Sequence, residues 1–428
     1  MPSTTCSGIL RFLNARRLAF VLWVLIPLHI WFMHEIDLGG DAGGTIDKRF
    51  SFFLQTSRRA GGTHRRQKVL VFPRNYKRDE HKHIFVDGIL RSDRLDLSLD
   101  LTDRNAYWFV DINRCTFEQL KAAMRIRADA LGKDRDQTII FADWSDQGWD
   151  EPQLAEYFQL GSDNFGGGNV HYVTRQHIDK RNIENITDDK EFSHYGDKWS
   201  WDGDEEAAEF GLGGRIKVAR YSVRSDLVDS ISKISGVKLF DGSVMSSFAA
   251  ARLPRPNDVV SFWNPEDTED PVSEAKSELR ASVSKLVSSL GEGNSHLNVT
   301  VGTIGAREDS GRNSVDNAYT RALLQHKIVV VAQRDEWEGH YRLMEALAGG
   351  ALVMSDPMHP FPYLIEDGVN IVVYTSLSEL KEKILRYVRN ETERLELAAR
   401  GHHVAMNYHR SWHVMERIIF GNWTSEHY

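Results

Sequence analysis

An α/β protein with two Rossmann-like domains facing across a cleft is the fold class this sequence predicts, preceded by a single N-terminal transmembrane helix and a stem. Three observations lead there. Short β-branched runs alternate with helical stretches in two separate series, the pattern of parallel sheets covered by helices. The 428 residues suffice for two buried cores. An isolated apolar segment, LAFVLWVLIPLHIWFM, covers 18–33 near the start.

That segment is short for a bilayer crossing, which takes ~17–25 residues. Arg16 and Arg17 can snorkel at its edge, and Trp31 and Phe32 suit the interface. Arg11, Arg16 and Arg17 precede it while Glu35 and Asp37 follow, so the positive-inside rule puts the N-terminus in the cytosol. The rest of the chain would then be lumenal in the Golgi or endoplasmic reticulum, a single-pass type II arrangement. The alternative is a cleaved signal peptide ending near 39–43. A lumenal body would give meaning to four N-x-Thr sequons, at Asn185, Asn298, Asn390 and Asn422.

Residues 34–66 hold three Gly-Gly pairs and the basic run SRRAGGTHRRQ, the composition of a stem. From Lys68 the strands KVLVF (68–72), YWFVDI (107–112), TIIFADW (138–144), VHYVTR (170–175) and IKVARY (216–221) follow, with a helix over 116–130. A second series begins after LPRPND: VVSFW (259–263), LNVTVGT (297–303), KIVVVA (327–332), ALVMS (351–355) and NIVVYT (370–375). Helices are expected between them over 271–290, 313–325, 339–349 and 376–388, with helical pattern on to Phe420. The boundaries that result are a tail over 1–17, the anchor over 18–33, the stem over 34–66, and α/β domains over 67–255 and 256–428.

Composition narrows the function. A net charge of -8 argues against a general affinity for nucleic acid, and the basic clusters near 58–66 do not make a groove-lining face. The two cysteines, Cys6 and Cys115, lie on opposite sides of the apolar segment, so no internal disulfide is expected.

The chemistry concentrates in one βαβ unit: KIVVVA, then the loop 333–339, then the helix of EGHYRLMEALAGG, then ALVMS. Parallel sheets receive ligands at the carboxyl ends of their strands, which is where that loop lies. A helix start with a glycine binds anions through free N–H groups. Its dipole contributes only ~0.3–1 kcal/mol, so a cation such as Arg334 or Arg342 is needed beside it.

From Tyr319 to Thr375 the chain resembles the donor-binding half of GT-B glycosyltransferases, of the group-1 type and the related exostosin-like enzymes. The residues that carry the resemblance are Tyr319, Leu323 and Lys327-Ile-Val-Val, then Glu338-Gly339, then Tyr341 to Gly350, then Glu366-Asp367-Gly368. It implies a nucleotide sugar as co-substrate. Glu345 would accept hydrogen bonds from the ribose hydroxyls, and Glu338 would contact the donor sugar. The paired-Glu spacing is one residue short with Glu338 and one long with Glu336, so both stay open. Arg334, Glu338, Gly339, Tyr341, Arg342 and Glu345 form the expected nucleotide-sugar site. The loop after the first strand of this domain, SFWNPEDTEDPVSEAKSE, is acidic where group-1 enzymes carry basic residues. Arg307, in GTIGAREDSGR, is the candidate replacement.

A base would come from the first domain. Asp111 and Asp143 both end apolar strands, and Asp143 is favoured because Trp144 and Trp149 beside it could stack on sugar faces. Asp134-Arg-Asp136 and Asp202-Gly-Asp204 have the metal-binding Asp-x-Asp form, which chance supplies in so acidic a chain. No metal and no cofactor is expected. The resulting expectation is a glycosyltransferase, hexosyl or pentosyl, that moves a sugar from a nucleotide diphosphate sugar to a glycan or glycoprotein acceptor in the secretory pathway. A membrane-anchored GT-B-like binding protein without transfer, or a nucleotide-sugar epimerase or hydrolase on the same fold, are the alternatives.

Overall fold

The computed structural model describes residues 66–73, 80–132, 137–144, 151–165, 169–174, 216–219, 221–237, 242–268, 277–304, 315–333, 341–358 and 361–421. The expected anchor over 18–33 and most of the stem lie outside these residues. Among the described residues no helix is long and apolar enough to cross a membrane.

Two sheets, each wholly parallel, organise the chain from Arg65 onward, which forms one compact unit. The first contains β1 (Gln67–Phe72), β2 (Leu95–Ser98), β3 (Ala106–Asp111), β4 (Ile139–Asp143), β5 (Val170–Thr174) and β6 (Ile216–Val218) in the order β2-β1-β3-β4-β5-β6. Its strands alternate faces with period two. Leu70, Trp108, Val110, Phe141 and Tyr172 pack against α2 (Phe117–Leu131) and α3 (Glu151–Phe165). Val69, Val71, Phe109, Ile140 and Val173 pack on the other side against α1 (Asp87–Arg91), reached from β1 through a π-helical turn over Lys82–Val86. Thr116 starts α2 with a reciprocal capping box to Gln119. The strand β2 was not expected from the sequence: LDLS is short, polar at alternate positions and on the sheet edge.

Two helices link the sheets, α4 (Ser225–Ser235) and α5 (Val244–Ala251). The second sheet runs β11-β10-β9-β7-β8, from β7 (Asn257–Ser261), β8 (Val299–Val301), β9 (His326–Val331), β10 (Leu352–Ser355) and β11 (Val372–Val373). Its helices are α6 (Glu278–Gly293), α7 (Asn317–Gln325), α8 (Tyr341–Ala348), α9 (Leu377–Arg389) and α10 (Glu391–Tyr408). Val259, Ile328, Val330, Leu352 and Met354 share one core with α6, α9 and α10.

One guanidinium ties this lobe together. Arg255, between Pro254 and Pro256, donates to Leu323 O at 2.9 Å, His326 O at 3.0 Å, Ala250 O at 3.2 Å and Gly349 O at 2.6 Å. Beside it Gly350 takes a positive φ of 73° against Ala250, where a Cβ would come within 2.7 Å of backbone.

The last helix, α11 (Ser411–Phe420), leaves the second lobe. Val414, Met415, Ile418 and Ile419 join the core of the first sheet with Ile84, Phe85 and Ile89. Ser92 donates to Glu416 at 2.6 Å, and Gly88 is required because a Cβ there would sit 2.8 Å from Ser411 O. Periodicity announced the helix but not which sheet it would cover. Met415 is fully buried. Met415→Ala should therefore destabilise the chain by about 2–5 kcal/mol through transfer and cavity terms. Urea unfolding checks this, and an unchanged midpoint would mean that α11 is not docked in solution.

Candidate functional site

The carboxyl ends of β7 and β9 border a small pocket of about 10 Å³, lined by Ser261, Phe262, Trp263, Arg280 and Arg342. Arg342 comes from the first turn of α8 and lies 5.8 Å from the Phe262 ring centre. Arg280, in the first turn of α6, sits 4.9 Å over the Trp263 ring and donates through Nε to Ala332 O at 2.9 Å. The sequence placed no cation here, because the loop before α6 is acidic. Arg280 follows that loop directly and brings a second guanidinium to the pocket beside Arg342. Arg307 and Arg334, the other expected cations, lie outside the described residues, as do Glu336, Glu338 and Gly339.

Glu345 is buried one turn further along α8, 6% exposed, and accepts from the Tyr319 hydroxyl at 2.6 Å. Tyr319 is placed by Asp316, whose side chain caps α7 by accepting from Tyr319 N at 2.9 Å. Burial lifts the Glu345 carboxyl to about 7, opposed by the Tyr319 hydrogen bond and the Arg224 and Arg342 charges and reinforced by Glu80. Burial pulls the Arg342 guanidinium down, yet Tyr341, Tyr319 and Glu345 outweigh it and hold it raised. The same balance applies at Arg224: burial lowers it and Asp226 raises it further, with Nη2 to Oδ2 at 2.5 Å. Tyr341 meets the Tyr221 ring edge-on at 5.9 Å. Glu80, Tyr221 and Arg224 belong to the first lobe, so the Glu345 cluster lies at the seam between lobes.

At the strand ends of the first sheet the expected base, Asp143, is hydrogen-bonded through both oxygens, and a second pair of groups lies close by. Asp143 is 4% exposed, and both its oxygens are engaged. Oδ1 accepts from Asn113 at 3.0 Å and Oδ2 from the Tyr172 hydroxyl at 2.7 Å. Asn113 in turn accepts from Trp144 N at 2.5 Å. Asp143 thus holds a turn rather than presenting a free carboxylate. Trp144 is 2% exposed and packs on Phe85 at 4.9 Å, so it is a core residue and no sugar platform; Trp149 lies outside the described residues. Asp111 is completely buried and its Oδ2 lies 2.6 Å from His81 Nδ1. With the imidazole neutral, a hydrogen bond from Nδ1 to this carboxylate would leave the lone pair on Nε2. Sequence spacing could not have paired residues 81 and 111. The nearest signal was a strand-end Asp followed by Asn113, whose backbone N–H it also binds at 3.2 Å.

Cys115, the cysteine among the described residues, is pushed to about 12 by burial with Asp111 adding to the rise, which removes it as a nucleophile at neutral pH. No group of three or more His, Cys, Asp or Glu able to hold a metal occurs among the described residues, and both Asp-x-Asp pairs fall outside them.

The Glu345 carboxyl titrates near 4.5 unfolded and about 7 folded. Between those values the folded chain binds the extra proton, so stability falls as pH rises through the window and the penalty is complete above it. Glu345→Gln cannot ionise. Its Tm relative to wild type should rise on going from about pH 5 to about pH 8, as the wild-type penalty develops. An equal difference at both pH values would show that Glu345 carries no raised pKa.

The comparisons bear on the same segment. Residues 284–419 match the family described as glycosyl transferase-like. Among curated proteins nothing matches. Solved structures similar to this chain include Alr3699/HepE of Anabaena in complex with UDP-glucose, at 13% identity over 83% of this chain and 98% of that one, TM-score 0.36. A sucrose-phosphate synthase from Thermosynechococcus elongatus is 10% identical over 83% of this chain and 98% of its own, TM-score 0.38. A glycosyltransferase from Rickettsia africae is 10% identical over 84% and 98%, TM-score 0.40. The matched residues 284–419, which include Tyr319, Arg342 and Glu345, are thus similar to the family described as glycosyl transferase-like.

Proposed function

We propose that this chain is a glycosyltransferase that moves a sugar from a nucleotide diphosphate sugar to a hydroxyl acceptor. The observation that carries the reading is the buried Glu345, in a segment that matches the glycosyl transferase-like family, beside a strand-end pocket with two guanidiniums. Glu345 would exchange its Tyr319 hydrogen bond for those of the ribose hydroxyls. Arg280 and Arg342 would hold the diphosphate, Tyr341 would line the approach, and Gly339 with Glu338 or Glu336 would face the phosphate and the donor sugar. Arg307 and Arg334 remain candidates for the same charge.

In the transfer, the bond between the sugar's anomeric carbon and the diphosphate oxygen breaks and one to the acceptor oxygen forms. The leaving diphosphate gains a negative charge, which the two guanidiniums would stabilise. The acceptor hydroxyl loses its proton, and His81 Nε2, oriented by Asp111, is the group we assign to receive it in place of Asp143. His81 directly follows Glu80, which acts electrostatically on both Glu345 and Arg224. No metal is needed for these roles. The acceptor we favour is a glycan or glycoprotein met in the secretory pathway, with the membrane reached through 18–33.

Calorimetry of the full chain with UDP, GDP and ADP should find one nucleoside diphosphate that binds without divalent metal. Glu345→Ala should weaken it by about ten- to a hundredfold, the value of a hydrogen bond to a charged group. His81→Ala should bind it normally yet lose roughly 10²–10⁴ of the turnover of the corresponding nucleotide sugar. If no nucleoside diphosphate binds, the assignment fails; if His81→Ala turns over like wild type, the base lies elsewhere. Turnover that disappears in EDTA and returns with manganese would show that a metal site was overlooked.

A further inference from the structure

The second lobe has another basic pocket, at the opposite end of its sheet. It measures about 190 Å³ and lies among Arg252 and Arg255 of the connection from α5 to β7, Lys327 at the start of β9, Gly350, and Glu391 and Arg394 of α10. Strands of a parallel sheet run one way, so Lys327 marks one end of β9 and the Arg342 pocket at Val330–Ala332 the other. The two pockets are therefore separate sites.

The charges here are unbalanced. Among the described residues Arg252 and Arg255 have no acidic partner within ion-pair distance. Arg252 is exposed and lies 5.7 Å over the Phe248 ring. Arg255 spends its two amino groups on four carbonyls, while its buried Nε has no partner. Arg394 is 5% exposed, held by Tyr387 O at 3.2 Å, with Glu391 at 3.5 Å. Lys327 is matched by Asp258 at 2.7 Å. Glu391 is thus the acid left to offset three guanidiniums, and it is largely exposed. Burial lowers Arg255 to about 9, and the neighbouring Arg394 charge adds to the fall. Burial also lowers Arg394, against the pull of Glu391 and Asp258. Each guanidinium would be relieved by an anion between them.

We propose that this pocket binds a phosphate- or sulfate-class oxyanion at Arg252, Arg255 and Arg394, independently of the nucleotide-sugar site. The prolines on either side of Arg255 lock its backbone, so the positive charge stands preorganised. A tetrahedral oxyanion offers several acceptors at once, enough for the guanidinium of Arg252, that of Arg394 and the remaining Nε–H of Arg255, and is the ligand arginine clusters favour. The anion could be free or esterified, on a sugar or in a lipid headgroup, since the chemistry presented is the same.

The test is a titration of the full chain with inorganic phosphate at constant ionic strength, with parallel arms using a sugar monophosphate and vesicles containing phosphatidic acid. Saturable binding should appear in at least one arm, and the arm that binds most tightly names the source. Arg252→Glu, a change at an exposed side chain, should weaken it by roughly tenfold. Glu391→Gln should strengthen it by about threefold, a gain that misfolding cannot imitate. Arg342→Ala, in the other pocket, should leave it unchanged. Affinity that follows Arg342 instead of Arg252 would overturn the second site, as would the absence of saturable binding in all three arms. Neither result would touch the nucleotide-sugar assignment, which is read with nucleoside diphosphates.

Discussion

The guanidinium of Arg255 does for the second lobe what no apolar contact could. The final carbonyls of a helix have no intrahelical partner and carry a fraction of negative charge. Arg255 reaches Ala250 near the end of α5, Leu323 in the last turn of α7 and Gly349 just past α8, together with His326 at the start of β9. A planar fork with fixed geometry answers four oxygens in one step. The end of α8 is pressed against α5 at Gly350, where only a residue without Cβ fits. The far end of α8 is therefore fixed before any ligand arrives, and so is the depth at which Glu345 sits.

That depth decides the electrostatics of the seam. Glu345 has left water, and its carboxyl rises accordingly; Tyr319, Arg224 and Arg342 recover part of the loss. The groups that perturb it come from both lobes, Glu80 and Arg224 from one and Tyr319 and Arg342 from the other. A ligand that displaces Tyr319 from Glu345 would alter the charge balance felt by Arg224 and hence by Asp226, to which His83 Nε2 also lies at 3.5 Å.

How much of this could be read from the chain alone follows from the range of each signal. The strands with β-branched runs, such as HKIVVV and LVMS, are legible because period and composition act locally. The edge strand LDLS is not, since its pairing with β1 comes from the sheet and not from its own residues. Glu345 and Arg342 stood out through a local motif, and both line the seam or its pocket. Arg280 was hidden behind an acidic loop that suggested no cation at all. His81 and Asp111 meet only after β1 and β3 have paired, as does Tyr319 with Glu345 once α7 and α8 flank β9. The surroundings of Asp143 were not legible, because a strand-end carboxylate looks the same in sequence whether it faces a ligand or holds a turn. Asn113 and Tyr172, which settle the matter, lie thirty and twenty-nine residues away.

The docking of α11 on the first sheet has a mechanical consequence. Both ends of the described body, Arg66 beside β1 and Gly421 after α11, belong to the same lobe. The second lobe is attached through two crossings that run side by side, where Val223 N donates to His409 O at 2.6 Å and Val223 bridges Arg410 in parallel. A pull at either terminus passes through β1 or α11 and bypasses the sheet that carries Glu345. The paired crossings are thus the chain's covalent link between the two sheets, and any turning of one lobe against the other would have to occur there.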